Sequence, residues 1–497
     1  MLFSFFQRKK ILLTGILATL AFLLIHFHLY NPHEQHGSDS LENLAGAYNI
    51  AKYNTYAIWT GDHRPHATAS REPLFPFMLG MLIKVENLFV SKADNINNKP
   101  IESIYTLTIR SPRAINSLKI LNIAISYASI ALACAFVYWA TQSYLLFLYS
   151  TLTLVFSAAL AQGAESFLTE PLAALLCTLV SILLYYSKPL SAKRSYWLAL
   201  GFSLSALVLT KALYLYFLPL VFIYLNIIYR KEIKIRDKAL LRHLGIFSAC
   251  LVILVGGWML RNFIDFNRFF IADRKAEMLM YRAEYDATSF KDYPYLFALY
   301  APGLSKHFLT QETEANWTHV YNWIGNDQII ASTYHSVFEP FFKDLPLQPH
   351  GRYKQSHFKK LERQSMNRIL DRKLGHLAMT IAFFYRCLFV EDGAGLKFLG
   401  FNLPHEDFGE KRVDNFLFAF LVNLPYWFGF FYFMITAIRK KDYSGYSLLL
   451  IPTFTILAYS CLAMSHPRYM QPMIPLFTIL FCLAAKRSQR VFAGNRG

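Results

Sequence analysis

Residues 8–30 read RKKILLTGILATLAFLLIHFHLY, three cations followed by a mostly apolar run from Ile11 to Tyr30. A helix needs about 20 such residues to cross roughly 30 Å of hydrocarbon, so this run is long enough for one passage through a bilayer. No small-residue cleavage site follows it, which marks an uncleaved anchor rather than a signal peptide. Comparable runs recur at Ala114–Trp139, Tyr144–Gln162, Pro171–Ser187, Tyr196–Thr210, Ala212–Tyr229, Leu244–Phe263, Phe416–Ile438, Tyr446–Met464 and Met470–Ala485. The pattern predicts an all-α polytopic membrane protein of about ten transmembrane helices, with a range of about 10–12.

Composition agrees with that expectation. Of the 497 residues, 55% are hydrophobic and only 16% charged, with 44 Phe and 31 Tyr; an ordinary soluble domain carries about 25% charged residues. Disorder, collagen and small disulfide scaffolds are excluded. The formal net charge of +18 suggests nucleic acid until it is sorted by side. Threading ten spans from a cytoplasmic N-terminus puts residues 1–10, 188–195, 229–243, 438–446 and the tail from 486 in the cytoplasm. Those segments hold 19 of the 50 Lys and Arg residues against Glu232, Asp237 and Asp442, a net +16 that leaves +2 for the rest. The basicity is a topological signal, and nucleic acid is not an expected partner.

Leu374–Val390 is also apolar, but an eleventh span there would carry Arg439-Lys440-Lys441 outside. With His376 and Arg386 inside it, it reads instead as an amphipathic helix on the outer leaflet. Three parts result: an N-terminal transmembrane catalytic half, 1–263, with an outer loop at 31–113; an outer-face region, 264–415; and C-terminal spans with a basic tail, 416–497. In the first loop, Leu41, Leu44, Ala45 and Tyr48 have helical spacing, and Pro73–Val85 is an apolar stretch punctuated by proline. Both read as helices along the membrane surface. The six cysteines (134, 177, 250, 387, 461 and 482) show no CxxC and read as packing residues. There is no Walker motif or GxGxxG.

The chemistry is expected at span ends facing outward, where ionisable groups meet the bilayer. Asp39 lies in SDSLE (38–42), either as a helix cap completed by Glu42 or as a general base. Arg71 and Glu72 precede Pro73-Leu74-Phe75-Pro76, either as a solvated loop pair or as charges at the mouth of a rigid interfacial segment. Glu165 and Glu170 form a short outer turn, and Pro171 after Glu170 suits the start of a helix, so capping alone accounts for the turn. Lys211, in LTKA (209–212), ends a span where no inward charge bias explains it, which suits a phosphate partner. Arg261 in WMLRN and Arg468 in SHPRYMQP bring planar, permanently charged forks to the same face, with snorkelling as the alternative. The shared face, more than any single motif, points to chemistry on a lipid phosphate.

On these motifs the chain resembles the glycosyltransferase C superfamily of membrane enzymes, in the branch of the protein O-mannosyltransferases and the lipid A aminoarabinose transferase. The resemblance spans essentially the whole chain and rests on the order and placement of short motifs. It implies transfer of a sugar from a polyprenyl- or dolichyl-phosphate donor to a lipid, glycan or protein acceptor at the outer face, with inversion at the anomeric carbon. Position by position, Asp39 matches the first-loop catalytic aspartate and Glu170 the second-loop acid. Arg71 and Glu72 match the charged pair before the proline, giving Glu72 a catalytic place and Arg71 a place at the donor phosphate, where Lys211, Arg261, Arg468 and Tyr469 also match. Two departures stand out: Glu72 replaces the lysine of the aminoarabinose transferase, and the mannosyltransferase Asp-Glu pair is Asp39-Ser40 here.

The resemblance leaves a divalent metal open as a cofactor and implies no other; His63, His66, His319, His335 and His466 show no ligand spacing. A bacterial inner-membrane location is expected, with both termini cytoplasmic and a periplasmic active face. A competing class is a transporter or flippase of lipid-linked sugars, which would favour paired charges buried in mid-membrane and interrupted helices. A non-catalytic scaffold on the same fold is a third.

Overall fold

The computed structural model describes residues 2–29, 38–57, 67–69, 71–86, 88, 112–272, 275–286, 355–390, 412–440, 443–462 and 467–494. Every regular element among them is a helix. In chain order the longer ones are α1 (Leu2–Leu29), α2 (Ser38–Tyr53), α3 (Leu74–Glu86), α4 (Pro112–Thr141), α5 (Tyr144–Val155), α6 (Ala158–Glu165), α7 (Glu170–Tyr185), α8 (Arg194–Thr210), α9 (Leu218–Ile228), α10 (Lys238–Leu251), α11 (Gly257–Phe266), α12 (Lys275–Asp286), α13 (Gln355–Asp371), α14 (Lys373–Cys387), α15 (Arg412–Lys440), α16 (Tyr443–Leu462) and α17 (Ile474–Gly494). A 3₁₀ segment, Ala212–Phe217, leads into α9, and a π turn, Val252–Gly256, joins α10 to α11.

Each of the ten apolar runs maps onto helix, but they differ in reach. Among the described residues, five stretches are long and apolar enough to cross a membrane: Lys9–Phe27, Ser117–Thr141, Lys238–Phe266, Phe420–Arg439 and Gly445–Leu462. The pair α5 and α6, bent by 47° at their junction, makes a sixth if counted as one. Ser157 makes that break: its side chain accepts from the Leu160 backbone N–H and starts α6 afresh. The remaining runs form shorter helices: α7 has 16 residues and α8 has 17, about 24–26 Å at 1.5 Å per residue. In α17 the second half carries Lys486, Arg487 and Arg490. The Leu374–Val390 stretch forms α14, whose 15 residues bury Gly375, Met379, Ala382, Phe383 and Cys387 while Leu374, Leu377 and Ile381 are exposed.

The chain divides into two compact units, one of residues 1–273, 424–455 and 468–497, the other of 274–423 and 456–467. In the first, small residues let helices approach closely, as they do where no hydrophobic driving force separates lipid from helix. A Cβ on Gly429 of α15 would lie 2.4 Å from the Phe481 backbone nitrogen of α17, and one on Gly201 of α8 would lie 2.8 Å from Cys250 Cβ of α10. Gly80 brings α3 equally close to Ala47 and Ile50 of α2. Leu44, Ala45 and Tyr48 of α2 face inward as the helical spacing requires. No disulfide joins the six cysteines, and four of them are buried.

The second unit is built on a buried polar knot. Arg282 of α12 is fully buried; its Nε lies 2.9 Å from Asp286 Oδ1, and its remaining nitrogens donate to the Ser460 and His376 carbonyls and to Thr380 Oγ1. His376 Nδ1 lies 2.8 Å from the other Asp286 oxygen. One guanidinium thus ties three segments together.

Candidate active site

The first turn of α2 presents Asp39 and Glu42 one turn apart, on the same side of the helix. Arg71, from the segment before α3, reaches both: its Nε donates to Glu42 and its NH2 to Asp39. A planar guanidinium offers its N–H donors in a rigid fork, which fixes the two carboxylates relative to each other more closely than a rotating ammonium would. Asp39 lies inside the helix rather than ahead of it, and its carboxylate is turned to the Arg71 fork.

Glu72 is held from elsewhere. The Ala212 backbone N–H donates to its Oε1 at 3.1 Å, and the Tyr56 hydroxyl to its carbonyl at 3.4 Å. Ala212 opens the 3₁₀ segment, so the acceptor sits at a helical N-terminus that carries a partial positive charge. The preceding residue, Lys211, is in extended conformation and ends α8. Its Nζ lies 3.1 Å from Glu170 Oε1 and 6.0 Å from the centroid of the Tyr469 ring. Glu170 is the first residue of α7, followed by Pro171. Placing a carboxylate and a proline there suits both the missing donor and the dipole of a helix start.

Arg261 joins the same region from α11. It donates to the Thr68 carbonyl at 3.1 Å, pairs with Asp265 at 2.9 Å, and stacks its cation 4.9 Å from the Trp258 ring, which in turn meets Tyr56 edge-on at 5.5 Å. Arg468 is the second residue of a four-residue helix, Pro467–Met470, but its side chain lies outside the described residues. Bonds and neighbouring positions thus connect Asp39, Arg71, Glu72, Lys211, Glu170 and Tyr469 in one continuous path within the first unit, with Arg261 attached through Thr68.

The supporting layer is specific. The Asn43 side chain donates to the Phe167 carbonyl at 2.8 Å, fastening α2 to the turn that carries Glu170. Asn122 of α4 donates to the Gly163 and Ala164 carbonyls at 3.2 and 3.1 Å, fixing the other limb of that turn. Glu165 lies away from the path, buried with His26 Nδ1 at 2.7 Å and Lys119 Nζ at 3.9 Å. The role of Glu42 as partner of Arg71 was not foreseen, although its spacing from Asp39 was visible. The cluster of His26, Lys119 and Glu165 was also missed, although His26 and Lys119 are ionisable residues inside apolar runs, the usual signal of an intramembrane polar group. Among the described residues no group of three or more His, Cys, Asp or Glu could hold a metal ion. His63, His66, His319, His335 and His466 lie outside the described residues.

No protein-family model matches this chain, and no curated protein does. Among solved structures, ArnT from Cupriavidus metallidurans in the apo state is similar to it at 11% identity and a TM-score of 0.38, over 95% of this chain and 76% of that one.

Proposed function

We propose that this protein is a membrane glycosyltransferase that moves a sugar from a polyprenyl-phosphate donor to a lipid, glycan or protein acceptor at the outer face of a bacterial inner membrane. The observation that carries this reading is the pairing within the site: Arg71 with Asp39 and Glu42, and Lys211 with Glu170. Cations suited to phosphate and carboxylates suited to proton transfer hold each other in the same place.

In this reading the acceptor oxygen attacks C1 of the sugar while the bond from C1 to the phosphate oxygen breaks, inverting the anomeric centre. The proton of the acceptor hydroxyl passes to Asp39, and the polyprenyl phosphate departs as an anion. Arg71, Lys211, Arg261, Arg468 and Tyr469 receive its negative charge, and the apolar tail stays in the bilayer. A donor phosphate competes with Asp39 for Arg71, so binding the donor frees the base. Glu170 and Glu72 hold Lys211 and the start of the 3₁₀ segment in position and complete the catalytic set. Ten spans, cytoplasmic termini and the division at 263 and 415 belong to the same proposal.

A second reading, transport or flipping of a lipid-linked sugar, is favoured by one observation: His26, Lys119 and Glu165 are paired and buried among helices that read as spans. Transfer by the purified native protein separates the two, and Asp39→Asn tests the base. With purified protein and a radiolabelled polyprenyl-phosphate sugar, the transferase reading expects donor binding to persist and transfer to vanish. Near-normal transfer by that variant would sink Asp39 as the base.

A further inference from the structure

The end of the bundle opposite the candidate active site holds two adjoining cavities. Glu170 begins α7 at the active site, and Tyr185 ends it at the far end, about 22 Å away at 1.5 Å per residue. There the closing residues of α4, α7 and α9 surround a cavity of about 470 Å³ lined by Trp139, Tyr185, Tyr186, Lys188 and Tyr224. Trp139 and Tyr186 also wall a second cavity of about 610 Å³, which runs between α1, α4, α5 and α7. Its lining is almost wholly apolar and includes small residues from facing helices, among them Gly15, Ala18, Ala131 and Ala135. Both volumes fall in the range of small-molecule sites.

Polar contacts tie α1 to both α5 and α4 along the slot. Thr14 bonds the Tyr144 hydroxyl at 2.9 Å, Thr19 bonds that of Tyr127, and a Cβ added at Gly15 would meet nothing within 4 Å. At the far end the character changes. The rings of Trp139 and Tyr186 meet edge-on at 4.8 Å, and the Tyr186 hydroxyl is buried with no hydrogen-bond partner among the described residues. Lys188 is exposed at the rim, and Lys10, next to the lining residue Ile11, is exposed as well. An apolar channel, an aromatic collar with an unmatched hydroxyl and the Lys188 ammonium follow one another, as the partners of tail, interface and head of an anionic phospholipid would.

We infer that this channel is a binding site for an anionic phospholipid, its acyl chain lying in the slot beside Gly15 and its phosphate at Lys188 and Tyr186. By the charge count this is the cytoplasmic leaflet, where basic residues near the surface each contribute about 1 kcal/mol toward anionic lipid. The site rests on the membrane-embedded part of the proposed function and not on its chemistry, so loss or absence of sugar transfer leaves the test below unaffected.

Trp139 touches both cavities and is 60% exposed, which makes it a built-in reporter. The full chain is reconstituted in mixed vesicles of phosphatidylglycerol and phosphatidylcholine in which one lipid or the other is brominated, and Trp139→Phe isolates that residue's share of fluorescence quenching. The expected result is a roughly fivefold preference for the anionic lipid, the equivalent of one basic residue. Lys188→Gln, an exposed position, removes the preference, and Gly15→Leu weakens quenching by both lipids. Equal quenching by the two lipids in the native protein, or a preference that survives Lys188→Gln, overturns the site.

Discussion

The ammonium of Lys211 lies 3.1 Å from an oxygen of Glu170 whose side chain is 3% exposed, joining the end of α8 to the start of α7. Removing one member of a buried pair leaves the other charge without compensation, at a cost of about 3–5 kcal/mol, whereas removing both with apolar residues is often neutral. Lys211→Met and Glu170→Leu are therefore each expected to lower the thermal unfolding temperature in detergent. The double variant should recover much of the loss, and strictly additive losses would show that the pair does not act as a unit.

Arg71 serves Asp39 and Glu42 together. Arg71→Lys keeps the charge and loses the fork. Transfer is expected to fall at least about tenfold, the equivalent of 1.4 kcal/mol and within the range for one charge-assisted bond, with the donor KM raised more than kcat is lowered. Steady-state kinetics with a polyprenyl-phosphate sugar check this; unchanged kinetics would remove Arg71 from the donor site.

Gly429→Ala places a methyl group against the backbone of Phe481, where a Cβ would stand 2.4 Å from nitrogen and 2.6 Å from Cα. Backbone cannot turn aside as a side chain can, so destabilisation of about 1–3 kcal/mol is expected. Gly245, whose added Cβ meets nothing within 4 Å, is the control: Gly245→Ala should be neutral or stabilising by about 0.5–1 kcal/mol, because it lies within α10. The two unfolding curves decide.

Asp286→Leu leaves Arg282 buried without its carboxylate and His376 without its partner. About 3–5 kcal/mol of local stability is expected to go, visible as faster amide hydrogen exchange in α12 and α14. Exchange that stays at the native rate would show that the knot does not hold the unit.

The helices were legible where apolar runs were long. Ala114–Trp139 falls inside α4, and Leu244–Phe263 inside the continuous stretch Lys238–Phe266. Their interruptions were not, because a bend depends on local bonds that hydropathy does not register: Ser157 capping α6, or the π turn before Gly257. For the site, most of the residues that the bonds connect could be picked out, since they are charges near the ends of apolar runs. The partners could not. Arg71 finds Asp39 across 32 positions, and His26 finds Glu165 across 139. Such pairings follow from tertiary packing, and neither helix period nor motif spacing encodes them.

The central claim is that the chain transfers a sugar from a polyprenyl-phosphate donor. The most direct measurement is mass spectrometry of envelope glycolipids and glycoproteins from cells lacking the gene, complemented with the native protein or with Asp39→Asn. One glycan species is expected to lose the mass of a single sugar, the native protein to restore it, and Asp39→Asn to leave it missing. A glycan profile identical in all three strains would contradict the claim.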